Sequence, residues 1–141
     1  MKKWAAVSLI MALLLAAVAF GVLWQRALHD DSDVAALAQS GANEAYARFS
    51  DFQEKGYDSD YWGGVAAFRV FQEAYTVLSD SASGSANRIL CNEIYGSLLI
   101  YPEKSGEHIA EIVEVMKMLS GNFMDENCYV RMSELRNALQ S

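Results

Sequence analysis

The chain is 141 residues long and 52% hydrophobic, with a single proline, a composition that can bury a core and excludes disordered, collagen-like and low-complexity proteins. A formal charge of −7 argues against nucleic acid as a partner, because phosphate binding needs a cationic surface. Two cysteines are too few for a disulfide-built miniprotein or a four-cysteine zinc site.

Residues 1–3, Met1-Lys2-Lys3, form a cationic n-region. They precede an apolar run from Trp4 to Trp24 that only Ser8 and Gly21 interrupt. As a helix such a run is about 31 Å long, which matches the hydrocarbon core of a bilayer. A tryptophan stands at each end, where an amphipathic ring prefers the headgroup level. The sequence therefore predicts a transmembrane signal-anchor over 4–24, with the lipid bilayer as its partner. Lys2, Lys3 and the amino terminus outweigh Arg26, and Asp30, Asp31 and Asp33 follow. The expected orientation is N-terminus in, in a single pass of the cell membrane. The competing reading is a secreted protein, because Ala17-Val18-Ala19 has the small-x-small form of a signal-peptidase site, with cleavage after Ala19. Either way the remainder leaves the cytoplasm.

Residues 25–33 read as a juxtamembrane segment and 34–141 as an extracytoplasmic helical domain. All 18 acidic residues lie at or beyond Asp30, a field that favours solubility and repels anionic lipid. Apolar residues recur at three- and four-residue steps at Val34, Leu37, Gly41, Ala45, Phe49 and Phe52, predicting a first helix. Asp31, Ser32 and Asp33 can cap its start, although none forbids a continuous helix, and Gly56 is placed to end it. A second helix is predicted over about Ser59–Ser79, with Tyr61, Val65, Phe68, Phe71 or Gln72, Tyr75 and Leu78 inward. Asp80 to Ser85 is a loop by composition. A third helix spans about Ala86–Ile100, with Leu90, Cys91, Ile94 and Leu98 inward, and Pro102 disfavours helical geometry at Tyr101.

The fourth helix covers about Glu103 or Ser105 to Leu119, with Ile109, Ile112, Val113, Met116 and Leu119 inward and Ser120-Gly121 as its stop. The last runs from about Asp125 to Leu139, burying Cys128, Met132, Leu135 and Leu139. No segment alternates at period two long enough for a strand. The expected fold is all-α, an N-terminal transmembrane helix followed by an up-and-down bundle of about five helices.

Four features bear on chemistry. Cys91 and Cys128 are a candidate disulfide. In an oxidising exterior the bridge would close 37 residues and contribute about 3–4 kcal/mol by loop entropy; two separate buried thiols are the alternative. Tyr57, Tyr61 and Trp62, within Gly56 to Gly64, are a candidate interaction surface. The same stretch also reads as structural, with Asp58 as N-cap, Tyr57 and Trp62 as a hydrophobic staple, and Gly63-Gly64 under a neighbouring backbone. Asp58-x-Asp60 fails as a calcium loop, since Trp62 and Arg69 fall where ligands are needed.

His108 and Glu111 stand one helical turn apart and could begin a metal site, though no third ligand is evident. Glu103, Glu107, Glu111 and Glu114 otherwise form a solvated acidic stripe. Tyr46, Tyr75, Tyr95 and Tyr101 could supply polar tips to a ligand cavity. No nucleophile elbow, phosphate loop or dinucleotide turn occurs, so neither an enzyme nor a cofactor is expected. The leading expectation is a membrane-anchored, non-catalytic protein-interaction module whose partner is another envelope protein. The alternatives are a small-ligand-binding or sensing domain, and a metal-dependent hydrolase using His108 and Glu111.

Overall fold

A computed structural model describes the backbone of residues 2–79 and 82–141, and the side chains of 14–23, 32–79 and 84–141. These residues are helical, without strands, and form six helices: α1 (Lys2–Lys55), α2 (Asp58–Leu78), α3 (Ala82–Ile100), α4 (Pro102–Glu107), α5 (Ile109–Asn122) and α6 (Glu126–Gln140). The chain divides into two compact units, Met1–Asp33 and Val34–Ser141.

In the first unit, the side chains described within the Trp4–Trp24 run are those of 14–23. All are exposed, with Leu14, Leu15, Val18, Phe20, Val22 and Leu23 the bulkiest. Among the described residues no helix is long and apolar enough to cross a membrane. The side chains of 4–13 and of Trp24, and Met1 of the n-region, lie outside the described residues. Ser32 and Asp33 lie inside α1 rather than capping a new helix, because neither residue costs enough in a helix interior to break it.

The second unit is a helical bundle. From Val34 onward α1 runs antiparallel to α2: Gly41 meets Ala67 and Phe71, and eight residues further along α1 Phe49 meets Tyr61 edge-on at 5.8 Å. The face that α1 turns inward is made of small residues, with Ala38, Gly41, Ala42 and Ala45 buried ahead of Phe49. Leu37, expected inward, is exposed, since the two backbones approach too closely at this level to admit a leucine. α2 is in turn antiparallel to α3: the Gln72 amide donates to Asn92 Oδ1 at 3.0 Å, and Asn87 Nδ2 donates to the Tyr75 hydroxyl at 3.2 Å. α5 is antiparallel to α6, with Arg131 reaching Glu114 at 2.7 Å. α3 and α6 run the same way and are joined by Arg136 and Glu93 at 3.0 Å. Gln39 Nε2 ties α1 to the α5 end by donating to the Ser120 carbonyl at 2.7 Å.

The expected inward residues of the second, third and last helices are buried, apart from a half-buried Leu78. The fourth helix departs from expectation. Pro102 opens the short α4 at its first turn, where its missing N–H is harmless, and the chain breaks at His108 before α5 begins. α5 then continues past Ser120-Gly121 to Asn122. Of the expected loop, Asp80 and Ser81 lie outside the described residues and α3 is already under way at Ala82.

Candidate functional site

Gly56 ends α1 with φ +74°, a backbone conformation that suits glycine, and its N–H donates to the Phe52 carbonyl at 2.8 Å. Tyr57, not Asp58, is therefore the N-cap residue of α2, and no side chain caps that end. Asp58 and Asp60 fall in the first turn, where carboxylates favour the positive end of the helix dipole. The staple geometry expected of Tyr57 and Trp62 shifts by one residue as a result, and the two rings remain 63% and 44% exposed.

Tyr61 corrects the expected surface. It is only 3% exposed, with its ring set edge-on to Phe49, Phe52 and Trp62. Its hydroxyl donates to the Leu98 carbonyl at 2.6 Å. In an unbroken helix that carbonyl would accept from residue 102, which is proline and has no N–H. Tyr61 thus supplies from α2 the donor that α3 lacks. Ser105 lies beside it, fully buried, its hydroxyl 3.4 Å from the Ser97 carbonyl. Burial raises the Tyr61 hydroxyl pKa, and the Ser105 hydrogen bond partly opposes the shift.

Gly63 and Gly64 serve packing. A Cβ on Gly63 would lie 3.2 Å from Arg48 Cδ, and one on Gly64 would lie 2.9 Å from the Phe49 ring. Arg48 crosses this surface to reach Glu44 at 2.8 Å and the nearly buried Asp60 at 3.4 Å, and both carboxylates raise its pKa.

Cys91 and Cys128 are both free, buried thiols in this structure. Cys91 sits in the core, where burial pushes its pKa up to about 12, and the Cys128 thiol donates to the Asn122 carbonyl at 3.3 Å. Burial also raises the Cys128 pKa. A thiol held protonated is a poor nucleophile and a poor metal ligand.

His108 Nδ1 lies 3.5 Å from Glu111 Oε1, so that expected pair does meet. Among the described residues, no group of three or more His, Cys, Asp or Glu comes together that could hold a metal ion. The four tyrosines go to separate places. Tyr75 is buried against Tyr129 at 5.3 Å, and Tyr95 is half-buried beneath the Arg69 guanidinium at 5.0 Å. Tyr46 packs at the core edge, while Tyr101 is exposed.

The surface depressions among the described residues were not legible in the sequence. Two open grooves of about 500 and about 540 Å³ follow the α3–α6 seam, one beside Leu90 and Val130 and the other beside Ile100 and Leu139. A smaller slot of about 210 Å³ lies between α5 and α6. Its residues stand at helical spacing on each helix, yet nothing in the sequence says that the two faces meet. Comparison with known proteins finds no matching family model, no similar curated protein and no similar solved structure.

Proposed function

We propose that the chain is a membrane-tethered helical module that binds another envelope protein and carries no chemistry of its own. One observation carries the tether: residues 14–23 are all apolar or glycine, and all are exposed. A helix that is apolar all round requires an apolar surrounding, and the run they belong to extends from Trp4 to Trp24. Lys2 and Lys3 before it and the aspartates after it support an N-terminus-in anchor with the bundle outside the cytoplasm. For the interaction role, the support is the exposed pair Tyr57 and Trp62, large rings left on the surface of a bundle whose core is otherwise filled.

Two measurements test the reading. A reporter fused to the C-terminus is expected to be active outside the cytoplasm, and activity confined to the cytosol would refute the orientation. A photo-reactive residue at position 62 is expected to yield one defined adduct in native membranes. Absence of any adduct from a folded chain would refute the interaction role.

A further inference from the structure

The slot between α5 and α6 has an apolar floor and an acidic rim. Val115 and Leu135, both buried, and the half-buried Ala138 form the floor. Glu111 and Glu134 stand on the rim with their carboxylates about half exposed. Glu114, also exposed, reaches the same rim through its ion pair with Arg131. The rim holds one guanidinium, that of Arg131, and it is already engaged by both Glu114 and Glu134. Lys117 lies two residues beyond Val115, a little over half a turn further round α5, and does not line the slot. Arg136 is turned to the other side of α6, toward Glu93.

From this arrangement we propose that the slot receives a basic, apolar-tipped helix or peptide segment of the partner protein. A leucine- or phenylalanine-sized side chain would enter over Val115, Leu135 and Ala138, while flanking Lys or Arg residues meet Glu111 and Glu134. Two independent properties converge on that occupant. The floor removes an apolar side chain from water, and the surplus of carboxylates over the single, already paired arginine selects a cationic flank and repels an acidic one. The proposal rests on the interaction reading above and assigns it a place and a partner chemistry.

The test uses the full chain in nanodiscs of zwitterionic lipid, with fluorescence anisotropy of a labelled amphipathic helix built from leucine and lysine. Its counterpart, with glutamate in place of lysine, is the first control. The lysine peptide is expected to bind, and to bind more weakly as salt is raised; the glutamate peptide is not. Glu111→Gln combined with Glu134→Gln is expected to weaken binding about tenfold, from the loss of two partly exposed charge contacts. Ala138→Trp, which fills the slot, is expected to weaken it similarly. Glu54→Gln combined with Asp58→Asn removes the same charge near Tyr57 and is expected to leave binding unchanged. Thermal melts establish that each variant is folded; if Ala138→Trp is not, the two charge pairs decide. No binding by the unaltered chain, equal losses from both charge pairs, or no loss from the slot variants would each overturn the proposal. A crosslink at position 62 would survive any of these outcomes, so failure of the slot and failure of the interaction role are separable.

Discussion

Replacing Gly41 by alanine pits two opposing effects against each other. In an exposed helix interior the change stabilises by about 1 kcal/mol, because alanine gives up less backbone entropy. At this position, however, the new Cβ would lie 2.6 Å from the Phe71 backbone nitrogen, 3.0 Å from its Cα and 3.1 Å from the Ala67 carbonyl oxygen. None of these atoms can rotate away, so ordinary contact requires α1 and α2 to separate by about 0.8 Å at this level. Overpacking of that kind costs about 1–3 kcal/mol, and a clash against backbone belongs at the upper end. The net expectation is a loss of about 2 kcal/mol, or about 8 °C in Tm for a chain of this size. Thermal unfolding of the full chain in detergent, followed by circular dichroism, measures it. Gly96→Ala is the paired control: it lies within α3 with nothing within 4 Å of its Cβ, and it is expected to raise Tm by about 4 °C. If Gly41→Ala matches or exceeds the parent while Gly96→Ala rises, the close α1–α2 approach is wrong.

Tyr61→Phe removes the donor to the Leu98 carbonyl and is expected to cost about 1–3 kcal/mol in urea unfolding, since a buried acceptor is left unpaired; an unchanged midpoint would remove the hydrogen bond from the account. Alkali provides another measure. The Cys91 thiol has its pKa raised from 9.0 to about 12 in the folded chain, and those of Cys128, Tyr61 and Tyr129 are raised as well. The folded state therefore binds these protons more tightly than the unfolded state does. Stability from Cys91 is fully present below pH 9 and is lost as pH climbs from there toward about 12. Tm is expected to fall across that window, less steeply in Cys91→Ala, and a flat profile would refute the burial argument. Finally, Leu15→Lys with Val18→Lys places two charges in the exposed apolar run, each costing about 2.5–3.5 kcal/mol at the centre of a membrane helix. The chain is expected to move from the carbonate-washed membrane pellet to the supernatant; retention in the pellet would refute the tether.

The bundle was legible wherever large apolar residues repeat at helical spacing, as at Leu90, Cys91, Ile94 and Leu98. Legibility failed where close backbone approach, rather than side-chain size, decides which face turns inward. Hydrophobicity ranks Leu37 above Ala38, yet α2 crosses α1 so closely that alanine and glycine fill the contact and the leucine is left outside. The break at His108 was hidden because Ile109, Ile112 and Met116 all lie after it in α5, while the buried residue of α4 is the polar Ser105, so no apolar period crosses the break to reveal it. Of the three aromatic residues expected at the candidate surface, Tyr57 and Trp62 are exposed. Tyr61 is not, because the donor demand created by Pro102 arises forty-one positions away. The α5–α6 slot depends on which helices become neighbours, and a single sequence carries no such information.

The bond from Tyr61 to the Leu98 carbonyl makes positions 61 and 102 answerable to each other across evolution. While residue 102 is proline, a hydroxyl is needed at 61; once 102 regains an amide hydrogen, phenylalanine becomes admissible there. Orthologous chains should accordingly exchange the two together, so that tyrosine-with-proline and phenylalanine-without-proline predominate and the mixed combinations are scarce.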